Sequence, residues 1–225
     1  MAIILYTSPT PNGWKASITL EEMGLPYEAK LINLGTNEQK EPWYTAINPN
    51  GRIPAITDDG FAVFESGAIL QYLGRKTGKF YPVNERKRVE VDQWLFWQMG
   101  GFGPMLGQTH HFRIYAPEKI EYAINRYTNE AKRLYGVLNT RLKDREFVAG
   151  EYSIADMAIM PWARLWERQG QDIAEFPHVK RWLDTIAARP AVIKGLAVGA
   201  EKRDPNSQKM KDPKVQEILF GNKAK

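Results

Sequence analysis

The amino-acid sequence predicts an α/β domain at the N-terminus followed by an all-α domain at the C-terminus. Over residues 1–77, apolar runs typical of buried strands alternate with apolar spacing typical of helices, whereas over residues 85–200 only helical spacing appears. A short segment with glycine and proline, residues 77–84, separates the two patterns. We therefore assign residues 1–77 to the first domain, 85–200 to the second and 201–225 to a basic tail.

The first domain opens with a strand, a helix and a second strand. Residues 2–6 form a continuous apolar run, and residues 7–13 are a breaker cluster that contains two prolines and a glycine. Apolar residues then recur at helical spacing until Gly24, and a second strand pattern covers residues 27–34. A helix that connects two strands in this way predicts that they pair in parallel.

A β-hairpin and a helix complete the first domain. Residues 35–46 are irregular or weakly helical, and short strand patterns at 53–56 and 61–64 are joined by an Asp-Asp-Gly turn. The tight turn predicts antiparallel pairing of these two strands. We expect Ser66 to cap a following helix that runs to about Lys76.

The second domain is expected to contain helices only. Their ranges are 85–113, 118–143, 153–169, 177–188 and a short piece from 190. Glycines and a proline cluster within residues 100–107, and each glycine disfavours a helix by up to about 1 kcal/mol relative to alanine. We expect this glycine-rich stretch to bend or thin the first of these helices.

Composition excludes several classes of function. The chain has no cysteine, which excludes a disulfide scaffold, a zinc–thiolate site and a protein thiol nucleophile. The sulfur for any thiol chemistry must therefore come from a ligand. The formal charge is +5, but residues 201–225 alone hold seven basic and four acidic residues. We interpret this proline-broken tail as a solvated end and expect no nucleic-acid partner.

The sequence also indicates the cellular location of the protein. No apolar run reaches the length of about 18 residues that a membrane span needs, and the apolar residues 1–5 are too few for a secretory signal. We expect no membrane contact and a cytoplasmic location.

The Ile53-Pro54 pair opens the third predicted strand. A trans bond is the commoner form, since only about 5–6% of X–Pro bonds in folded proteins are cis. However, a β-α-β unit followed by a hairpin whose first strand begins with proline is the thioredoxin-like layout. In that layout a cis proline leaves the N–H and C=O groups of the preceding residue free to pair with a peptide ligand, as an added strand would.

Glu65 and Ser66 follow the fourth predicted strand directly. The simplest interpretation is a helix N-cap. The start of a helix is also an anion site, with the Ser66 hydroxyl and backbone N–H groups as donors, and Glu65 suits an ammonium group. Together the two residues suit the zwitterionic end of an amino acid.

These features resemble the glutathione-transferase family over roughly residues 2–200. The residues that carry the resemblance, in family order and spacing, are Pro54, Glu65 and Ser66, and the runs at 153–156, 8–13 and 94–108. The last two runs resemble one subgroup, the bacterial nu-class enzymes and the fungal enzymes related to the yeast nitrogen-regulator prion protein. The resemblance implies a homodimer that uses glutathione as substrate or co-substrate and needs no metal.

The resemblance also implies a place for each part of glutathione along the first domain. The implied ligands of the γ-glutamyl end are Glu65 and Ser66, and those of the cysteinyl backbone are Ile53 and Pro54. Gln39 and Arg52 would bind the glycine carboxylate, and Arg133 would approach glutathione from across the dimer interface.

The sulfur of glutathione would lie at the start of the first helix, beside Thr10 and Asn12. A thiol with a pKa of about 8.5 is mostly protonated at neutral pH, and hydrogen bonds and a helix N-terminus favour the thiolate. Thr10 and Asn12 are therefore the candidate catalytic residues, as hydrogen-bond donors rather than bases. Tyr6 is the alternative, because tyrosine-type transferases carry their sulfur-activating hydroxyl at the end of the first strand. We interpret Tyr6 as structural.

Other polar residues have simpler interpretations. Ser153 and Asp156 match a capping box, which we prefer to a catalytic acid. His110 and His111 point about 100° apart on a helix and lack a third ligand at metal spacing. We interpret both histidines as surface or pocket-lining residues.

We therefore expect a glutathione-dependent enzyme that acts on a small electrophile or a disulfide. The resemblance places an apolar co-substrate or a second glutathione beside the glycine-rich stretch, in a pocket lined by Phe112 and Trp162. Two reactions fit, namely conjugation by a glutathione transferase, which serves detoxification, and reduction by a glutathione-dependent disulfide-bond oxidoreductase. Without a protein cysteine, reduction must use two glutathione molecules or one glutathione and the substrate. The alternatives are a regulatory protein, as the yeast relative is, and a ligand carrier without turnover.

Overall fold

A four-stranded mixed sheet forms the centre of the N-terminal part of the protein. The computed structural model describes residues 3–202 and 212–220. The strands are β1 (Ile3–Thr7), β2 (Tyr27–Leu31), β3 (Ala55–Asp58) and β4 (Phe61–Phe64), in the spatial order β2-β1-β3-β4. As predicted, β1 and β2 are parallel and β3 and β4 are antiparallel.

The second strand is shorter than the sequence predicts. It ends at Leu31 because the side chain of Asn33 accepts a hydrogen bond from the backbone N–H of Gly35 at 3.1 Å. This contact turns the chain into a 3₁₀ turn, Leu34–Thr36. The irregular or weakly helical interpretation of residues 35–46 is confirmed by two 3₁₀ turns and by the short helix α2 (Pro42–Thr45).

Two longer helices, α1 (Pro11–Met23) and α3 (Ser66–Thr77), pack on one face of the sheet. Helix α1 ends before Gly24, as predicted. The expectation that Ser66 caps α3 is wrong, because Glu65 occupies the N-cap position and Ser66 is already helical. Glu65 has a φ of 68°, which turns the chain from β4 directly into the helix.

The C-terminal part contains helices, apart from two isolated β-bridges in the loop after α6. Their bounds are α4 (Glu85–Trp97), α5 (Gly103–His110), α6 (Glu121–Arg141), α7 (Ile154–Ala163), α8 (Pro177–Ala187), α9 (Pro190–Ala197) and α10 (Pro213–Phe220). The predicted first helix continues through two π-helical turns, Gln98–Phe102 between α4 and α5 and His111–Tyr115 after α5. The bend expected at the glycines therefore takes the form of a widened turn.

Helix α1 joins the sheet to the helical part. It packs against α3 on one side and against α7 and α9 on the other. The Ser17 hydroxyl donates to the Gly195 carbonyl at 2.7 Å, and Arg189 Nε lies 2.6 Å from a carboxylate oxygen of Glu22. These contacts fix the direction in which the N-terminus of α1 points.

Asp156 has the structural role that the sequence indicates. Its Oδ2 accepts from the backbone N–H of Ser153 at 3.0 Å, which completes a capping box at the start of α7. Its Oδ1 accepts from the backbone N–H of Val148 and from the indole N–H of Trp182. Burial raises the pKa of Asp156 to about 6, although these hydrogen bonds oppose the rise.

The described part of the tail is not a solvated end. Helix α10 packs against the Leu34–Thr36 turn, and Gln216 Nε2 donates to the Tyr115 carbonyl at 2.8 Å. The remainder of the predicted basic tail, residues 203–211 and 221–225, lies outside the described residues. Among the helices that the structure describes, none is long and apolar enough to cross a membrane.

Candidate active site

A cavity of about 740 Å³ lies where the start of α1 faces the helical part. The β1–α1 connection, the segment after β2, α5 and the segment that follows α7 form its walls, and α10 contributes as well. The lining includes Pro9, Thr10, Trp14, Leu34, His110, Tyr115, Leu165, Arg168 and Val215. The volume lies in the upper part of the range of about 300–1,000 Å³ that is usual for small-molecule sites.

Thr10 is the N-cap of α1. Its Oγ1 accepts a hydrogen bond from the backbone N–H of Gly13 at 3.3 Å, so its hydroxyl hydrogen stays available to another acceptor. Pro11 follows at the first helical position, where its fixed φ suits the helix. A side chain at Gly13 would place its Cβ 2.1 Å from the Ser8 carbonyl oxygen, so the tight approach of this turn to the end of β1 requires glycine.

Asn12 lies in the same turn of α1, but it is not among the residues that line the cavity. Its Oδ1 accepts from the indole N–H of Trp162 at 3.0 Å. The structure thus brings together a predicted catalytic residue and a predicted pocket residue. Neither Trp162 nor Phe112 is among the residues that line the 740 Å³ cavity, and the Phe112 ring stacks on Tyr127 with centroids 5.3 Å apart.

The peptide bond between Ile53 and Pro54 is cis, as the thioredoxin-like layout predicts. The Tyr44 hydroxyl and Asn48 Nδ2 both donate to the carbonyl of Arg52, at 2.7 and 2.6 Å, and hold the loop before the proline. Neither the N–H nor the C=O group of Ile53 has a hydrogen-bond partner among the described residues. This backbone is therefore open to an extended peptide ligand.

Glu65 and Ser66 lie at the start of α3. The backbone of Glu65 is in the left-handed region, a strained conformation for a residue with a side chain, and such strain concentrates at functional sites. Asn50 Nδ2 donates to Glu65 Oε1 at 3.5 Å. The Ser66 hydroxyl lies 3.7 Å from the sulfur of Met99, which belongs to the first π-helical turn.

The other predicted glutathione ligands, Gln39, Arg52 and Arg133, differ in their surroundings. Gln39 is buried, with Nε2 donating to Asn37 Oδ1 at 3.1 Å, whereas the side chain of Arg52 is exposed and pairs with no described residue. Arg133 lies on α6 and pairs with Glu130 at 2.7 Å, in a separate groove. A single chain therefore does not bring Arg133 to Thr10.

Tyr6 lies on the other face of the sheet from α1. Its ring packs against Trp43 and Tyr44, with centroids 6.1 Å from each, and only 6% of the residue is exposed. Tyr6 does not line the cavity. Its surroundings agree with the structural interpretation of this residue.

His110 lies in the cavity wall, and His111 packs on Phe112 and Phe220. Burial, with a contribution from the charge of Arg168, lowers the pKa of His110 to about 4, so its ring is neutral at pH 7. Over the described ranges 3–202 and 212–220, no three His, Asp or Glu residues lie close enough together to hold a metal ion.

Comparison with known proteins identifies the family. The model of the glutathione S-transferase N-terminal domain matches residues 1–75, and that of the C-terminal domain matches residues 102–190. The chain is 49% identical to the disulfide-bond oxidoreductase YfcG of Escherichia coli, over 90% of this chain and 99% of the relative. The protein belongs to the glutathione S-transferase family.

Solved structures of other glutathione transferases resemble this one closely. The enzyme from Burkholderia graminis, with two glutathione molecules bound per subunit, is 46% identical, covers 87% of this chain and 88% of its own, and gives a TM-score of 0.82. The enzyme from Pseudomonas putida, with one glutathione disulfide bound per subunit, is 43% identical, covers 88% and 91%, and gives a TM-score of 0.83. The family predicted from the sequence motifs is thus confirmed.

One charged residue near the site was not singled out in the sequence analysis. Lys15 is only 2% exposed, and its Nζ donates to Gln98 Oε1 at 2.9 Å and lies 3.7 Å from the Met99 sulfur. Burial lowers its pKa to about 7, against the charge of Glu65. Helical spacing could have revealed the burial of Lys15. It precedes Thr19 by one helical turn and Met23 by two, so it lies on a buried face of α1.

Proposed function

We propose that this chain is a glutathione-dependent enzyme that activates the sulfur of bound glutathione, and that reduction of disulfide bonds is its main reaction. The observation that carries the proposal is the position of two hydrogen-bonding side chains, Thr10 and Asn12, at the start of α1, where Thr10 lines a large cavity, in a chain without cysteine. Thr10 has an O–H and Asn12 an Nδ2 amide available to a thiolate. The helix N-terminus adds a partial positive charge.

The binding mode that we propose follows the unpaired groups of the first domain. The cysteinyl peptide of glutathione pairs with the backbone of Ile53. The γ-glutamyl carboxylate binds at the start of α3, beside Ser66, and the ammonium group binds Glu65. The exposed Arg52 and the buried Gln39 bind the glycine carboxylate.

The proposed reaction balances without a protein thiol. A glutathione thiolate attacks one sulfur of the disulfide substrate, so that a new S–S bond forms and the other substrate sulfur leaves as a thiolate. A second glutathione thiolate then attacks the mixed disulfide, which releases the second substrate thiolate and yields glutathione disulfide. Two glutathione molecules are oxidised and the substrate gains two electrons. The similarity to an oxidoreductase and to structures with two glutathione molecules or a glutathione disulfide supports this proposal.

We also propose that the protein is a homodimer, in which Arg133 reaches the glutathione of the other subunit. A cytoplasmic location suits the chemistry, because the cytosol keeps thiols reduced. Conjugation of electrophiles, with a role in detoxification, is the second reaction that the same activated sulfur supports.

Steady-state turnover with glutathione separates the two reactions. We expect the purified protein to reduce 2-hydroxyethyl disulfide rapidly and to conjugate chlorodinitrobenzene weakly. The reverse ratio would favour a conventional transferase. Calorimetric binding of glutathione without turnover of either substrate would reject an enzymatic role.

The same assay tests the proposed catalytic residues. Asn12→Ala removes a hydrogen bond to a charged group, worth about 1.5–3 kcal/mol, and should reduce kcat/KM by about 10-fold to 100-fold. Tyr6→Phe, which removes a hydroxyl on the other face of the sheet, should leave turnover nearly unchanged and serves as the control. The opposite ranking would move the sulfur-activating role to Tyr6.

A further inference from the structure

The amide of Asn12 has two orientations that differ by a half-turn, and these exchange the positions of Oδ1 and Nδ2. The indole Nε1 of Trp162 lies 3.0 Å from Asn12 Oδ1. An indole N–H is a donor and never an acceptor, so it can face only the oxygen of the amide. Among the described residues, Asn12 Nδ2 has no hydrogen-bond partner, and Asn12 itself is half-buried.

The indole ring is itself held in place. Trp162 lies on α7, whose N-terminus is fixed by the Asp156 capping box. Its ring packs 5.5 Å from that of His110, and a Cβ added at Gly107 would lie 3.4 Å from its Cη2. The ring therefore packs against the backbone of α5 at Gly107 and beside the neutral imidazole of His110. These contacts restrict the position of the N–H group that meets Asn12.

We propose that Trp162 is a positioning residue for glutathione activation, which holds the Asn12 amide so that Nδ2, and not Oδ1, faces the sulfur. This inference rests on the proposed function, in which Asn12 donates to the thiolate. Without the indole N–H, the amide is free to rotate and present its oxygen to a negatively charged sulfur. The two would repel each other, and the thiol form of bound glutathione would be favoured.

The ultraviolet absorbance of the bound thiolate, followed against pH, measures this effect directly. We expect Trp162→Phe to raise the apparent pKa of the bound glutathione thiol by about 1 unit, which is a tenfold loss of thiolate at a given pH below that pKa. The affinity for S-methylglutathione, which has no ionisable thiol, should change little. Trp166→Phe, the same substitution on the 3₁₀ turn Trp166–Gln169, is the matched control and should shift neither quantity.

A double-variant cycle separates the inference from the proposed function. Asn12→Ala alone should raise the thiol pKa, and adding Trp162→Phe to it should cause no further rise, because the indole acts through the amide. If Asn12→Ala shifts the pKa and Trp162→Phe does not, the inference is overturned and the proposed function stands. If neither variant shifts the pKa, Asn12 does not donate to the sulfur, and both the inference and the proposed catalytic role of Asn12 are overturned.

A second substitution keeps the test valid if the phenylalanine variant folds poorly. Benzothienylalanine at position 162 replaces the indole N–H with sulfur at nearly the same shape, so packing against Gly107 and His110 is retained. We expect it to raise the thiol pKa as Trp162→Phe does. A wild-type thiol pKa in this variant would show that the N–H group has no role and would overturn the inference.

Discussion

The ammonium group of Lys15 lies inside the protein, and Gln98 Oε1 is its hydrogen-bond acceptor. Burial lowers the pKa of Lys15 from 10.5 to about 7. The folded state therefore holds this proton less tightly than the unfolded chain does, and the contribution of Lys15 to stability rises as the pH increases from about 7 to 10.5. At pH values below about 7 the full cost of the buried charge is present.

A comparison of pH dependence tests this effect. We expect Lys15→Met to gain stability relative to the wild type near pH 6 and to lose that advantage near pH 10. The variant also leaves the side-chain oxygen Oε1 of Gln98 without the Lys15 donor, and this cost does not vary with pH. Urea unfolding at several pH values measures the difference, and the exposed Lys143→Met controls for the loss of one positive charge. A difference that is constant with pH would contradict the lowered pKa.

Single residues were predictable from sequence where a local signal exists. Thr10 and Asn12 became candidates through the family resemblance of residues 8–13, and their catalytic role stays a prediction. The contact between Asn12 and Trp162 spans 150 positions and depends on how α1 packs against α7, so no local pattern contains it. Ser66 was misassigned as a cap because the left-handed backbone of Glu65 is not visible in the residue types.

At the scale of elements, the crossing of α1 and α9 depends on the absence of one side chain. A Cβ at Gly195 would lie 2.6 Å from Ile18 Cα, a backbone atom that cannot move aside without shifting α1. Because α1 also carries Thr10 and Asn12, any such shift extends to the candidate active site.

We expect Gly195→Ala to destabilise the protein by about 1–3 kcal/mol through this overlap, despite the better helix propensity of alanine. Gly136→Ala in α6 is the matched control, since nothing lies within 4 Å of its added Cβ, and it should be neutral or slightly stabilising. Chemical denaturation of both variants gives the two free energies of unfolding. Equal stability of the two variants would show that α1 and α9 separate without cost.

Elements were predicted well where hydrophobic periodicity and breakers agree. The four strands and α1 followed from short apolar runs bounded by proline and glycine. The glycine-rich stretch predicted a distortion but not its kind, because the choice between a bend and a π-helical turn depends on packing of Gln98 and Phe102, both fully buried, against the other helices. The packed tail helix α10 was missed because its partners lie about 100 or more positions away.

At the scale of the whole molecule, the proposed homodimer requires an apolar surface. Phe61 on the edge strand β4 and Phe96 on α4 are 62% and 64% exposed, unusually open positions for such rings. We expect light scattering to give twice the mass of one chain, and Phe61→Glu to shift the protein toward the monomer. Ile193→Glu, at a position on α9 that is 56% exposed, is the control and should leave the dimer intact. A monomeric wild type would reject the dimer and the proposed role of Arg133.

The two-part architecture was predictable because its signals are spread along the whole chain. The alternation of strand and helix patterns ends before residue 85, and the family models match the two sides separately, over 1–75 and 102–190. The domain limits at residues 77 and 85 stay a prediction. The arrangement of the two parts was not predictable, since it depends on contacts such as the ion pair of Glu22 with Arg189.

The π-helical turn before α5 determines how the following helix responds to a change in the number of residues in this segment. Each residue advances an α-helix by about 100°, and a π-turn holds one residue more than an α-turn. Removing either Gly100 or Gly101, where an added Cβ would meet nothing within 4 Å, would let this segment close as an ordinary α-turn and leave the direction of α5 unchanged. His110 and Tyr115 would then keep their places in the cavity wall. The widened turn therefore absorbs one residue of chain length, and we expect a single deletion here to leave the cavity lining in place.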